Sequence, residues 1–323
     1  ELGRHRLAEA LEALGRGVQA HPTSSQLLLA VASCYVQLGG HAEARAFFGR
    51  AVRADARHAQ AYQAWGVFEA RLGDERAAEN LYEAGLRACP GHGALWQAYG
   101  LLARKAGDAA KARRLWEEGL RRCPGDVMLL QALACLEVKE KNPQAARRLM
   151  KEAILRDPGH GACWSVFALA EEKAGTPEKA REVYRQGLRY APGHGPLYGA
   201  YAKFEMRQRN FLRARAIFEE GLQADPYCAS IYHAYAELEA SLGNIDGLNA
   251  LNKKAKELFD VNIPERTKEE YLKRTKQLQQ SFFIEDEDAG NQEEDDEEAG
   301  PLDGIEKDDV LEKVLEEEED KFY

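Results

Sequence analysis

The chain has 323 residues, of which 45% are hydrophobic, and its formal net charge of −10 is unevenly distributed. Residues 281–323 carry −17, whereas the rest of the chain carries +7, so the composition describes a mildly basic body followed by a strongly acidic segment. No apolar stretch is long enough to span a membrane, and the six cysteines show no paired C-x-x-C spacing, which argues against a disulfide framework.

A 34-residue period organises most of the chain. Each period is predicted to be one helix-turn-helix unit that buries its apolar face only against its neighbours. We therefore expect seven repeats over residues 22–262. The offset of a residue is defined as the number of residues by which it follows the first residue of its repeat. Six of these seven first residues are proline: Pro22, Ala56, Pro90, Pro124, Pro158, Pro192 and Pro226.

The segment before the first repeat matches the second half of an earlier one. Counting back one period places Glu1 at offset 13, and it assigns residues 7–20 to a second helix with Leu14 at the large apolar position. Residues 1–21 are therefore predicted to be the remnant of a preceding repeat, and we expect the natural protein to continue upstream.

The first helix of each repeat, helix A, is predicted from apolar residues at offsets 6, 9 and 12, which fall on one helical face. Glycines at offset 17, such as Gly39 and Gly107, are expected to end this helix in the left-handed conformation. The residues that follow can cap the next helix at Asp74, Asp108, Asn210 and Asn244.

The second helix, helix B, has a small residue at offset 22 and a large apolar residue at offset 26. Glycine disfavours helices, so its recurrence at offset 29 implies that another helix approaches closely there. The proline of the next repeat then ends helix B. These glycines are Gly85, Gly119, Gly187 and Gly221.

The period stops after residue 262. Residues 263–284 are predicted to form an amphipathic helix that caps the array, with Tyr271, Leu272 and Leu278 on its apolar side. Residues 285–323 are acidic and are predicted to be mostly disordered, because like charges repel and little apolar surface is available to bury.

Three further features recur within the repeats: two aromatic residues three apart in helix A, a glutamate at offset 13, and an Ala-Arg pair that opens helix B. Over residues 22–259 this pattern resembles the tetratricopeptide repeat and, more narrowly, its half-a-TPR (HAT) branch. The resemblance implies an all-α, right-handed α-solenoid in which helix A lines the concave surface. The pattern departs from the family at Glu79, which replaces the arginine, and at Leu248 and Asn249, which replace Ala-Arg.

Five successive repeats place a cation at offset 15, near the end of helix A. Packed helices lie about 8–10 Å apart, so such a row suits an extended phosphate backbone better than a small ligand. The other interpretation is that the helix dipole favours a cation at each helix C-terminus. The residues are Arg71, Lys105, Lys139, Lys173 and Arg207, with Arg104 directly before one of them.

A second basic row lies on helix B of the middle repeats. The first arginine of each pair, as in Arg113 and Arg147, is predicted to bond the helix A glutamate of its own or the next repeat. The second arginines, Arg114 and Arg148, are freer and are better candidates for contact with RNA.

Amide side chains recur at offset 7, in Gln63, Gln97 and Gln131. Amides can recognise base edges, and some helical-repeat proteins contact one RNA base per repeat. An ordinary polar surface is the other interpretation.

Histidines recur at offset 2, in His58, His92, His160 and His194. Ligands of one zinc ion lie about 2 Å from it, far closer than successive repeats allow, so we predict turn residues and no metal site. The cysteines are interpreted as small buried residues. No Ser/His/Asp motif, glycine-rich phosphate loop or H-E-x-x-H motif is present, so we expect no enzyme, no catalytic residue and no cofactor.

Two functions remain open. The resemblance to chloroplast HAT proteins that stabilise and activate transcripts favours a single-stranded RNA-binding protein of the chloroplast stroma. The alternative is a protein scaffold within a nuclear RNA-processing complex. A continuous basic stripe on the concave surface would favour RNA, and alternating charges would favour a peptide. Neither function requires a small-molecule substrate or a membrane.

The acidic segment offers a further hypothesis. It could occupy the basic groove as a mimic of nucleic acid, in which case deleting residues 285–323 would tighten non-specific RNA binding.

Overall fold

The computed structural model describes residues 2–259, with side chains from residue 7 onward except that of residue 8. This range contains fifteen α-helices and no β-strand, which confirms the predicted all-α solenoid. The helices are α1 (Leu2–Ala20), α2 (Ser25–Leu38), α3 (His41–Ala54), α4 (Ala59–Leu72), α5 (Glu75–Ala88), α6 (Gly93–Lys105), α7 (Ala109–Arg122), α8 (Val127–Lys139), α9 (Pro143–Arg156), α10 (Gly161–Lys173), α11 (Pro177–Tyr190), α12 (Gly195–Arg207), α13 (Phe211–Ala224), α14 (Ala229–Ser241) and α15 (Ile245–Phe259).

The even-numbered helices from α2 to α14 are the A helices, and the odd-numbered helices from α3 to α15 are the B helices. Each A helix packs on the B helix of its own repeat and on the preceding B helix. Neighbouring A helices also pack on one another, whereas neighbouring B helices do not do so within residues 2–259. The A helices therefore form the inner side of the array.

The core is built from the residue types that the period predicts. The large residue at offset 26 is at most 1% exposed in all six repeats that have one: Phe48, Tyr82, Trp116, Met150, Tyr184 and Phe218. Burying a side chain of this size stabilises the folded state by about 1.5–3 kcal/mol. Six of the seven B helices therefore each contribute one large side chain that packs between helices and stabilises the array.

Close helix packing at the offset 29 glycines is confirmed. A Cβ atom at Gly187 would lie 2.6 Å from the Cβ of Trp164, and one at Gly221 would lie 2.7 Å from the Cβ of Tyr198. Such contacts are shorter than atoms tolerate, so helix B can approach the aromatic residue at offset 6 only because these positions lack a side chain.

The turn between helices A and B has the same backbone in every repeat. All seven residues at offset 17 have positive φ angles, and five of them are the predicted glycines. The other two are Lys141 (φ 59°) and Arg209 (φ 60°), for which this conformation carries a strain of about 1–2 kcal/mol.

The capping predictions have mixed outcomes. The carboxylates of Asp74 and Asp108 accept the predicted backbone hydrogen bonds, and the Asn244 oxygen accepts one from Gly247. The prediction for Asn210 is wrong, because its amide does not cap α13 and instead donates to the buried carboxylate of Glu205.

At the N-terminal end, α1 begins at Leu2, five residues before the start of the predicted second helix at residue 7. The predicted capping helix (263–284) and the acidic segment (285–323) lie outside the described residues. Between residues 2 and 259, none of the helices has both the length and the apolar character that a membrane span requires.

Candidate functional site

The accessible side of the A helices forms a continuous surface, which we call the inner face. Its positions are offsets 4, 7, 8, 11, 14 and 15, which are linked by steps of three or four residues and so lie on one side of a helix. Offset 8 lies at its buried edge, since Ala98, Val166 and Ala234 are at most 9% exposed. Offsets 6, 9 and 12 point the other way, into the core, where Tyr198, Tyr201 and Phe204 are at most 9% exposed. All the predicted offset 15 cations and offset 7 amides therefore belong to one face.

The predicted cations at offset 15 are all exposed, and each lies in the last turn of its A helix. The helix dipole can account for a cation at such a position. It does not account for the side chains around them, which differ from repeat to repeat.

Arg207 differs from the other four cations because it forms a bidentate ion pair within the chain. Its Nε and Nη2 atoms donate to the two carboxylate oxygens of Glu172 on the preceding A helix, each at 2.7 Å. The hydrogen bonds to Glu172 raise the pKa of Arg207. This guanidinium is therefore charged and already paired with a carboxylate of the same chain. Offset 15 of one A helix thus meets offset 14 of the helix before it.

The equivalent positions at the α6–α8 junction are Arg104 and Lys139, which the same register would bring together. Burial raises the pKa of the Cys135 thiol, and both cations oppose this shift, so both act on the same group. Lys139 is exposed and Arg104 is half-buried. Neither forms an ion pair with another residue in the described range.

The three predicted amides, Gln63, Gln97 and Gln131, are half-buried on the inner face of α4, α6 and α8. Between the amides and the cations, offset 11 carries apolar side chains such as Val67 and Leu101, and Leu101 is 38% exposed. These three helices carry no acidic residue at any inner-face position. Each therefore presents an amide, an apolar side chain and a cation along successive turns.

Helices α10, α12 and α14 present a different inner face. Glu172 and Glu237 introduce negative charge, and the exposed Lys203 adds a cation that the offset 15 pattern does not include. The sequence could have identified Lys203 as an inner-face cation, since it lies at offset 11, four residues before the offset 15 cation Arg207.

The arginines that open the B helices are structural, as predicted. Each donates to the glutamate at offset 13 of the next repeat, with N–O distances of 2.6–2.8 Å, and each glutamate is at most 6% exposed. The contact is thus with the next repeat and not with the arginine's own. The five pairs are Arg45–Glu69, Arg113–Glu137, Arg147–Glu171, Arg181–Glu205 and Arg215–Glu239.

The one interior junction without such a pair has lost both partners. Glu79 replaces the arginine, and Ala103 replaces the glutamate that it would face. The Glu79 carboxylate instead accepts from the Lys111 ammonium at 2.6 Å, and Lys111 lies over the Tyr99 ring. The paired loss avoids placing a second carboxylate opposite Glu79, whose side chain is 38% exposed.

Arg114 and Arg148 do not join the inner face. They are exposed on α7 and α9, which are B helices. Arg148 instead lines a pocket of about 590 Å³ with Arg113, Glu117 and Glu137, so both acidic and basic groups border it. The structure therefore separates these two candidates from the other nine.

The histidines at offset 2 occupy the residue before each A helix, and their side chains form no capping hydrogen bond. The His58 ring instead hydrogen-bonds Ser25 of the preceding repeat, and the His194 ring packs on Gly161. Burial lowers the pKa of His194, and the nearby His160 adds to this shift. The described part of the chain contains no cluster of His, Cys, Asp or Glu arranged to hold a metal ion.

The six cysteines are unpaired, with Cys163 and Cys228 buried and the other four half-buried. Burial raises the pKa of the Cys163 thiol to about 12, so this thiol stays protonated and unreactive at neutral pH. The interpretation of these residues as small side chains packed inside the array is thus confirmed for Cys163 and Cys228 and holds only in part for the other four.

Two family models, both described as tetratricopeptide repeat, match the sequence. One matches residues 1–65, 137–204 and 171–238, which is just over half of the chain, and the other matches residues 93–136. The comparison with curated proteins gives no match.

Several solved structures share this fold at low sequence identity. Yeast Tom70 has a TM-score of 0.63 and 15% identity, and the match covers 88% of this chain and 61% of that one. A tetratricopeptide repeat protein from Parabacteroides merdae ATCC 43184 has a TM-score of 0.56 and 16% identity, covering 80% of this chain and 99% of that one. A chain of the APC/C hetero-tetramer Cut9–Hcn1 has a TM-score of 0.51 and 19% identity, covering 73% of this chain and 46% of that one. The chain thus spans less than half of the Cut9–Hcn1 match, and these identities support likeness of fold alone.

Proposed function

The chain belongs to the tetratricopeptide repeat family, whose repeats form scaffolds suited to binding protein or RNA, and we propose that this member binds single-stranded RNA along its inner face. The observation that carries the proposal is the single sign of charge over α4, α6 and α8. Arg71, Arg104, Lys105 and Lys139 are present there without an acidic inner-face neighbour. The finer assignment, to the HAT branch and to transcript stabilisation in the chloroplast stroma, is part of the same proposal and rests on the residue pattern.

The geometry suggests a role for each kind of side chain. The cations neutralise backbone phosphates, which gives affinity that depends on salt but not on sequence. The amides Gln63, Gln97 and Gln131 are placed to form hydrogen bonds with base edges, and the apolar residues between them offer surface for a base to pack against.

The proposal is tested by reversing three charges of this tract, in the variant Arg71→Glu, Lys105→Glu, Lys139→Glu. Each cation–phosphate contact contributes about 0.7 to the dependence of log affinity on log salt concentration, so the slope should fall by about 2. We expect the affinity for a 12-nucleotide single-stranded RNA pool to fall about 100-fold or more at 50 mM salt, as measured by fluorescence anisotropy, with unchanged helicity by circular dichroism.

A matched control carries the same three charge changes elsewhere. Arg76, Lys179 and Lys254 are exposed on B helices, away from the inner face. The variant Arg76→Glu, Lys179→Glu, Lys254→Glu should retain most of the affinity, because only long-range screened attraction is lost. Equal losses in the two variants would mean that net charge, and not the inner face, determines binding.

A second candidate function is a protein scaffold within a nuclear RNA-processing complex, and it is favoured by the mixed charges of α10, α12 and α14. Both signs are present there, in Glu172, Lys203, Arg207 and Glu237, as expected of a surface that recognises a protein. A chain of similar fold is part of the APC/C hetero-tetramer Cut9–Hcn1. In that case the compartment could be the nucleus, and the control variant and the inner-face variant would bind RNA alike.

A further inference from the structure

Neighbouring A helices meet at a repeated contact that allows one junction to be compared with another. At the α10–α12 junction, offset 14 of one A helix faces offset 15 of the next, as the Glu172–Arg207 pair shows with its two 2.7 Å hydrogen bonds. Because the repeats share one geometry, we expect the same two offsets to face each other at the other junctions. Glu172 is largely buried, with 13% of its side chain exposed. At the α10–α12 junction, therefore, the protein supplies both the cation and the anion.

At the α6–α8 junction the same two positions are held by Arg104 and Lys139, and both are positive. Lys105, which follows Arg104 directly, adds a third cation. At the junctions on either side the facing residues are Ala70 with Lys105 and Val138 with Lys173. The α6–α8 junction is thus the one among α4 to α12 where two cations face each other.

Two like charges at one contact repel each other, and water must screen them when no anion is bound. Arg104 is half-buried and so is less well screened than a fully exposed side chain. The shared influence of Arg104 and Lys139 on the Cys135 thiol agrees with their placement at one contact. An anion between them would relieve the repulsion and gain two charge-assisted hydrogen-bonding partners.

We infer that the α6–α8 junction is an oxyanion subsite, formed by Arg104 and Lys139, in which a phosphate group of bound RNA takes the place that the Glu172 carboxylate holds at the α10–α12 junction. The inference rests on the proposed RNA-binding function for the source of the phosphate. It also gives Glu172 a role: this carboxylate occupies Arg207 and so limits the tract that is open to phosphate.

The chemistry of the two cations fits a phosphodiester. Arg207 shows that a guanidinium at this junction can form a forked contact with two oxygens of one anion, and Arg104 can offer the same fork. Gln97 and Gln131 lie seven and eight residues before Arg104 and Lys139 on their helices, about two helical turns away. A nucleotide with its phosphate at the junction would therefore extend its base towards the amides.

The test compares three single substitutions by the salt dependence of binding to the same 12-nucleotide RNA pool. Arg104→Gln removes one cation, so the slope of log affinity against log salt should fall by about 0.7. Arg104→Glu removes this cation and also pairs the new carboxylate with Lys139, as Glu172 pairs with Arg207. Two phosphate contacts are then lost, so the slope should fall by about 1.4. Glu172→Gln releases Arg207, so the slope should rise by about 0.7 and the affinity should increase several-fold.

Thermal unfolding separates this explanation from loss of structure. Arg104→Glu replaces a facing pair of like charges by one of opposite charges, so its melting temperature should equal or exceed that of the unchanged protein. Slopes for all three variants equal to that of the unchanged protein, measured on proteins that melt normally, would overturn the inference. That outcome would leave RNA binding itself intact.

A second probe tests the subsite without RNA. Inorganic pyrophosphate should raise the melting temperature of the unchanged protein, and Arg104→Glu should abolish the effect, while Arg76→Glu on a B helix retains it. Pyrophosphate stabilisation without RNA binding would support the subsite and contradict the proposed function. The absence of pyrophosphate stabilisation, together with unchanged RNA slopes, would contradict the subsite.

Discussion

At the scale of single residues, the carboxylates at offset 13 show how the array tolerates buried charge. Glu205 is fully buried, and its carboxylate accepts hydrogen bonds from Arg181 of the preceding repeat and from Asn210 of its own. Burial would raise the pKa of Glu205, but these partners outweigh it and lower the pKa. The ion pair thus joins adjacent repeats. Removal of Arg181 would leave the Glu205 carboxylate buried without a compensating charge.

We predict that Arg181→Ala lowers the free energy of unfolding by about 2–3 kcal/mol at pH 7, since it leaves a buried carboxylate without its cation. Because the Glu205 pKa is lowered in the folded state, its contribution is present above the ordinary glutamate pKa and is lost as the pH falls below about 4. The deficit of the variant should therefore shrink in acid. Urea unfolding between pH 7 and pH 3.5 measures this.

The exposed Arg114→Ala on α7 serves as the control, with an expected change within about 0.5 kcal/mol. A deficit for Arg181→Ala that stays constant with pH would show that lost packing, and not charge, explains its effect.

The Arg–Glu pairing was partly predictable at this scale. The Ala-Arg pair and the glutamate recur in register, so a contact between them follows from the period. The Arg207–Glu172 pair was not predicted, because it joins two different offsets across a helix junction. Which offsets face each other depends on how far one helix is shifted along the next, and the spacing of residues within one helix does not contain that information.

At the scale of helices, close approach is decided by positions without side chains. A Cβ at Gly100 of α6 would lie 2.1 Å from the Nε1 atom of Trp116, whose indole is fully buried. A Cβ at Gly199 of α12 would find its nearest neighbour, Ile231, at 3.8 Å, an ordinary contact. Both glycines lie inside A helices, so they have equal helix propensities but different surroundings.

These two positions give a matched pair of variants. We predict that Gly100→Ala destabilises the protein by about 1–3 kcal/mol through overpacking, whereas Gly199→Ala stabilises it by about 0.5–1 kcal/mol through helix propensity. Thermal and urea unfolding of both variants test this. Stabilisation by both would mean that the indole of Trp116 moves freely, contrary to its burial.

Most helix bounds could be predicted from the sequence because prolines, glycines and capping residues recur at fixed offsets. Lys141 and Arg209 show where that reasoning ends. Their backbones adopt the left-handed conformation of the glycines at offset 17, yet neither residue favours it. The repeat geometry imposes the turn, and the intrinsic preference of the residue is overridden.

At the scale of the whole molecule, charge is divided between the body and the acidic segment, and again within the body. Residues 281–323 carry −17 and the remainder carries +7. Within the described range, the inner face is purely basic over α4, α6 and α8 and mixed over α10, α12 and α14. The row of five equivalent cations expected from the period is thereby replaced by a shorter basic tract that ends at the Glu172–Arg207 pair.

The candidate site was predictable in its position but not in its extent. The period predicts that Arg71, Lys105, Lys139 and Lys173 lie on one face, because residues at the same offset lie on the same side of successive A helices. It could not separate Arg207 from them, since the difference lies in a partner on another helix. It did place Arg114 and Arg148 on B helices, where the structure finds them exposed and away from the inner face.

The main claim is that RNA follows the inner face of α4, α6 and α8, and photo-crosslinking provides its test. The purified protein would be irradiated with a 12-nucleotide RNA pool containing 4-thiouridine, and the modified peptides would be identified by mass spectrometry. Adducts should concentrate in peptides that contain Gln63, Gln97 and Gln131, and they should decrease beyond Glu172. Adducts confined to the B helices, or none at RNA concentrations that saturate binding, would contradict the claim.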